Sequence, residues 1–228
     1  MIRCVLFDLD GTLYDEKDFV MSGFRAVAEY LSEIRGVDAK KCLNILMNDF
    51  ESGLRGKNFD TLVEKLGLNI EIPDLVQVYR QHQPNINLYP DAETILSKLR
   101  GSLLLGLVTD GWRDVQKRKV SALKLEGRFD TITFTDVYGR ENWKPSLKPF
   151  EITLRKLGVT AKESMYVADN PVKDFIGAKK LGIITVRIRR GGEYDSMQLD
   201  AEHEADYNIT SLWELQGLIE KINAQEDN

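Results

Sequence analysis

Residues Ile2 to Leu9 form a nearly continuous apolar run that stops in Asp8-Leu9-Asp10-Gly11-Thr12, and this feature constrains the fold more than any other. An unbroken apolar strand is the mark of a strand covered on both faces, as in a parallel sheet flanked by helices. Ligands of open parallel sheets bind beyond the carboxyl ends of the strands. The polar residues that follow each buried strand are therefore the ones to weigh.

The rhythm then changes twice. From Asp15 to about Gln83, apolar residues recur at helical spacing: Val20, Phe24, Val27, Leu31 and Ile34, then Cys42, Ile45, Leu46 and Phe50, with shorter stretches at Leu62 to Leu66 and Leu75 to Tyr79. About seventy residues pass without a good strand. After Pro84-Asn85, helices and strands alternate in βαβ fashion, with strands at Leu103 to Thr109, Phe129 to Phe134, Met165 to Ala168, Ile183 to Ile188 and Tyr207 to Ile209. The expected architecture is a doubly wound, parallel-sheet α/β core of Rossmann-like type, residues 1–14 and 88–228, split by an inserted α-helical domain, residues 15–87.

The 228 residues are 43% hydrophobic and 29% charged, near the globular average. Thirty-six acids against thirty-one bases leave −5, which gives no electrostatic footprint for nucleic acid or anionic lipid. The longest apolar stretch, Leu103 to Val108, falls far short of the ~20 residues that span a bilayer. No export signal is read at the N-terminus. Cys4 and Cys42, the two cysteines, read as buried apolar residues rather than a disulfide framework, so a cytoplasmic location is expected. His82 and His203 are the only histidines, which argues against zinc. A monomer or homodimer with a small-molecule partner fits this profile.

Three polar clusters stand at strand ends. Asp8 and Asp10, two apart, point the same way on strand geometry. Two close carboxylates repel, so one is protonated or a cation lies between them. Asp169 adds a third hard oxygen donor, and oxygen-only ligation favours Mg²⁺. Turn or cap roles are the competing readings, Asp8 and Asp10 beside Gly11-Thr12 and Asp169 ahead of a helix from Val172. Thr109-Asp110-Gly111 ends a strand and opens a helix, where free backbone N–H groups bind phosphate, though alone it is an ordinary cap. Lys144, in Trp143-Lys144-Pro145, offers a fixed positive charge, though taken alone it is an ordinary surface lysine.

In this order the clusters resemble the haloacid dehalogenase superfamily. Its first motif, Asp-x-Asp-x-Thr, is matched by Asp8, Asp10 and Thr12; its second by Thr109; its third, a lysine commonly followed by proline, by Lys144-Pro145; its fourth, a pair of acids, by Asp169 and Asp174. Phe150, Leu157 and Gly158 support that register, in which Lys148-Pro149 fits worse. The resemblance implies a phosphatase for a small phosphomonoester, a sugar phosphate or nucleoside monophosphate. Asp8 would be the nucleophile and Asp10 the general acid and base. Mg²⁺ would be held by Asp8, the Asp10 backbone carbonyl and Asp169, with Asp174 supporting Lys144 or a metal-bound water. Thr109, the backbone of Asp110 and Gly111, and Lys144 would hold the phosphoryl oxygens.

Asp110 stands where Asn is usual in the superfamily, and Ala168 where Gly is more common. The helical insert would act as a cap, with Arg55 and Lys57, and also Arg80 and His82, as candidate substrate contacts, although such side chains are more often simply solvated. Trp112 and Trp143 either line the entrance or pack. A phosphomutase is the nearest enzymatic alternative. A dehalogenase is disfavoured by Asp10, a signalling receiver by the length and strand order, and a silent phosphate-binding protein by the intact motifs.

Overall fold

The computed structural model describes residues 1–192 and 194–226; the last two residues of the polar tail lie outside these. The chain divides into two compact units, Met1–Asp15 with Asn87–Asn228, and Glu16–Ile86. In the first, β1 (Cys4–Phe7) is buried along its length, as its apolar sequence demands. It pairs in parallel with β2 (Leu104–Thr109) on one side and β4 (Ser164–Ala168) on the other, Cys4 standing opposite Leu104 and Ser164. β3 (Thr131–Phe134), β5 (Ile184–Ile188) and β6 (Tyr207–Ile209) extend the sheet to the order β3-β2-β1-β4-β5-β6, every neighbouring pair parallel.

The winding reverses at β1. The chain runs outward through β2 and β3, returns to β4 beside β1, and then runs outward the other way. Such a switch point leaves a crevice above the carboxyl ends of the two central strands, where Asp8 and Asp169 follow β1 and β4 directly. The crossovers are α5 (Pro90–Leu99), α6 (Arg113–Ala122), α7 (Lys148–Leu157) and α8 (Phe175–Leu181), with α9 (Leu215–Glu226) last. On one face Phe150, Leu154, Phe175 and Ala178 pack against Leu6, Val108, Tyr166 and Ala168, each large apolar side chain contributing about 1.5–3 kcal/mol by burial.

The second unit is helical, as its 3.6-residue periodicity requires: α1 (Glu16–Arg35), α2 (Ala39–Glu51), α3 (Asn58–Leu66) and α4 (Ile72–Gln81). Its own core gathers Phe24, Val27, Ala28, Leu31, Cys42, Leu46, Leu62 and Leu75. Asp38 starts α2 by accepting from Lys40 N at 2.8 Å. Cys4 and Cys42 are buried and unbridged. Among the described residues no helix is long and apolar enough to cross a membrane.

The two connecting segments are fastened together on the α/β side. Tyr89 N donates to Leu13 O at 2.9 Å, and Tyr14 bridges Leu88. Arg190 Nε donates to Thr12 O at 3.1 Å, its terminal nitrogens grip Asp91 at 3.1 Å, and its Cζ lies 4.0 Å from the centre of the Tyr89 ring.

Candidate active site

At the switch point the local chain path decides which side chains meet. Asp8 N donates to Val167 O at 2.9 Å, continuing the ladder one residue beyond β1. Gly11 then takes a left-handed φ of +70°, and a Cβ there would run into the Asp169 carboxylate. The turn after β1 thus needs glycine so that Asp169, from the end of β4, can lie against its backbone. Carboxylate oxygens of Asp8, Asp169 and Asp174 come within 4.8 Å of one another, a donor set of hard oxygens that fits a divalent cation.

Lys144 lies fully buried among these acids. Its Nζ stands 2.6 Å from Asp8 Oδ1, 2.7 Å from Asp174 Oδ1 and 3.0 Å from the Tyr166 hydroxyl. Burial alone would lower the ammonium, but Asp174 and Asp8 outweigh it and hold it charged, well above the ordinary lysine range. Burial pushes the Asp8 carboxyl up to about 7, with Lys144 acting against it and Asp174 with it. Tyr166 is likewise held neutral by burial and by Asp174, and donates to Asp174 Oδ1 at 3.1 Å. Lys148, the rival for the third motif, is instead an exposed residue at the start of α7.

Asp10 is directed elsewhere. The strand ends at Phe7, so strict alternation does not carry on to Asp10 and its carboxylate does not pair with that of Asp8 across one cation. It meets Lys119 Nζ at 2.6 Å and Gln116 Nε2 at 2.7 Å, and the Tyr14 hydroxyl donates to it. Burial would raise this carboxyl; Lys119, with the bonds from Tyr14 and Gln116, brings it below the usual carboxylate range. The Asp10 carboxylate therefore stands outside the acid cluster and Asp174 stands inside it. Asp174, which the resemblance gives as a support for Lys144 or a metal-bound water, stands 2.7 Å from Lys144 Nζ, and its Oδ2 accepts from Asn170 N at 3.1 Å. Asp169 does not cap a helix from Val172, since α8 begins at Phe175.

Thr109 is fully buried, its hydroxyl accepting from Gln116 Nε2 at 2.5 Å. The extra negative charge of Asp110 is turned away into a tie between loops. Its Oδ1 accepts from Thr135 Oγ1 at 2.8 Å and from Lys144 N at 3.2 Å, while Oδ2 lies 3.5 Å from Lys173 Nζ. Gly111 follows at φ +114°. Lys173 is held charged by Asp174, Asp8 and Asp110 against its burial and against Lys144.

Asp8, Asp10, Thr109, Asp110, Gly111, Lys144, Asp169 and Asp174 thus all belong to the α/β unit. Arg55, Lys57, Arg80 and His82 belong to the helical unit. There Arg55 donates to Phe50 O at 2.6 Å, Lys57 precedes α3 and His82 packs 5.0 Å from the Phe19 ring. Sequence reasoning missed Lys119, Gln116, Tyr166 and Lys173. The available signal was the pair Gln116 and Lys119, three apart on one helical face with Val120, and a lone tyrosine in an aliphatic strand.

Comparison with known proteins places this geometry. A model of haloacid dehalogenase-like hydrolases matches residues 5–188. The chain belongs to that family. It is 35% identical to a glyceraldehyde 3-phosphate phosphatase of Methanocaldococcus jannaschii over 97% of this chain and 99% of that one. Among solved structures of the family, a phosphatase of Thermococcus onnurineus superposes with a TM-score of 0.64 at 28% identity, covering 96% of this chain and 98% of its own. The HAD-hydrolase YfnB of Bacillus subtilis shares the fold at a TM-score of 0.71 and 22% identity, over 95% and 98%. The chain is thus an enzyme of the phosphatase type within this family, and its acid cluster could hold a metal.

Proposed function

We propose that this enzyme is a Mg²⁺-dependent hydrolase of a small phosphomonoester, working through an aspartyl-phosphate on Asp8. The observation that carries the reading is the buried Lys144 held between Asp8 and Asp174 at the switch point. Mg²⁺ would be held by Asp8 and Asp169 with Asp174 beside them, and would supply charge neutralisation for the phosphate oxygens. Asp8 Oδ attacks phosphorus as the ester P–O bond breaks, and Asp10, ionised in the free enzyme and protonated from solvent once the anionic phosphate lies beside it, gives that proton to the departing alkoxide. Asp10 then takes a proton from the water that attacks the phosphorus, releasing phosphate and restoring Asp8. Thr109, the backbone around Gly111 and Lys144 hold the phosphoryl oxygens, so most of the rate comes from fixed charge and donors. The helical domain expected at residues 15–87 is proposed as a cap that excludes water. Arg55 and Lys57 are the cap residues proposed to touch the leaving group.

The relatives' names support a small phosphate ester as substrate. Hydrolysis of p-nitrophenyl phosphate tests the reading. It should require Mg²⁺ and vanish in Asp8→Asn with the circular dichroism spectrum retained; normal turnover by that variant would remove Asp8 as nucleophile.

A further inference from the structure

Beside the phosphate-holding residues lies an arginine that the proposed reaction does not use. Arg140 Cζ sits 4.0 Å from the centre of the Trp112 ring and 5.6 Å from that of Trp143. Trp112 directly follows Gly111 and Trp143 directly precedes Lys144. The loops carrying them leave the carboxyl ends of neighbouring strands β2 and β3, so the stack borders the phosphate site within the α/β unit. Among the described residues the Arg140 guanidinium makes no hydrogen bond or ion pair. Its acidic neighbour Glu141 is folded back over Gly139, with Oε1 accepting from Asn142 Nδ2 at 3.1 Å, and Asp136 Oδ2 accepts from Arg113 N at 3.0 Å. The indole Nε1 of Trp143 is sealed from solvent with no acceptor among the described residues.

A guanidinium stacked on indole keeps its N–H fork in the plane of the group, pre-organised at small entropic cost for a planar anion. We infer that the Trp112–Arg140–Trp143 stack is a second anion site, selecting a phosphomonoester whose remainder carries a carboxylate or a further phosphate. The inference rests on the hydrolase reading and names the substrate class for that site.

The test compares 3-phosphoglycerate with glyceraldehyde 3-phosphate, which differ in carboxylate against aldehyde, and adds fructose 1,6-bisphosphate as the phosphate arm. The wild-type enzyme should prefer an anionic member, and which one it prefers identifies the group. Arg140→Ala should raise KM for that substrate about tenfold, leaving glyceraldehyde 3-phosphate and p-nitrophenyl phosphate within about twofold, and Arg140→Lys should recover part of the loss. Equal loss on every substrate would make the stack a loop support, and no loss on the anionic ones would remove the site; either overturns the inference. Calorimetric titration of the same ligands into Asp8→Asn, with and without Arg140→Ala, reads the selectivity without turnover. Loss of binding selectivity with Arg140→Ala and loss of turnover with Asp8→Asn are thus read apart.

Discussion

Lys144 is sealed from solvent between two carboxylates, so truncating it leaves buried anions facing one another without a counter-charge. Lys144→Met should cost the metal-free protein about 3–5 kcal/mol in urea unfolding, and turnover should fall by at least about 10². Asp91 makes a cleaner case for pH. Burial would raise its carboxyl, but the bonds from Arg190, Leu212 N and Ser211 together hold it below the usual range. A carboxyl lowered on folding stabilises the protein above its unfolded value of about 3.9, and that contribution is lost as pH falls through the folded value. Asp91→Asn should therefore cost about 1–3 kcal/mol at neutral pH, and its melting temperature should begin to approach that of the parent below about pH 4 and meet it only below the folded value of Asp91. Asp8, Thr109 and Asp169 were legible because each stands at or just past the end of a strand, and Lys144 only through the order of motifs it shares with the family. Tyr166 was not, since an aromatic inside an apolar strand reads as core, which by packing it also is.

Single helices decide where the proposed catalytic groups point. α6 turns Gln116 and Lys119 onto Asp10 and Thr109. Lys119→Met should thus lower kcat about tenfold or more while KM stays within about twofold, because it redirects Asp10 rather than removing a phosphate contact. α8 sets the height of the third-motif loop. A Cβ on Gly177 would stand 2.5 Å from Pro145 O and 3.0 Å from Ser146 O, both backbone atoms, so Gly177→Ala must push the loop carrying Lys144. A loss of about 1–3 kcal/mol with reduced activity on p-nitrophenyl phosphate is expected. The helices were legible from their apolar stripes, but α6 showed little beyond its start. Its buried face includes Gln116 and Lys119, and periodicity counts such residues as solvent-facing.

Over the whole molecule, one early strand followed by a long helical stretch announced a split α/β fold. The parallel order that brings Asp8 beside Asp169 comes from non-local pairing, visible only once β4 is seen returning to β1. Because Leu13 pairs with Tyr89 and Tyr14 with Leu88, joining Asp15 to Asn87 through a short Gly/Ser linker should leave the parallel sheet cooperatively folded, as judged by circular dichroism and a single unfolding transition. That shortened chain should lose turnover of its preferred substrate more than that of p-nitrophenyl phosphate, since the cap is proposed to serve the leaving group and water exclusion. The proposed mechanism has Asp8 carry the phosphoryl group during turnover. Acid quench of the enzyme mixed with Mg²⁺ and substrate, followed by peptide mass mapping, tests it most directly. A hydroxylamine-sensitive phosphoryl group on Asp8, absent from Asp8→Asn, is expected, and a phosphoryl group on any other residue would overturn the assignment of Asp8 as nucleophile.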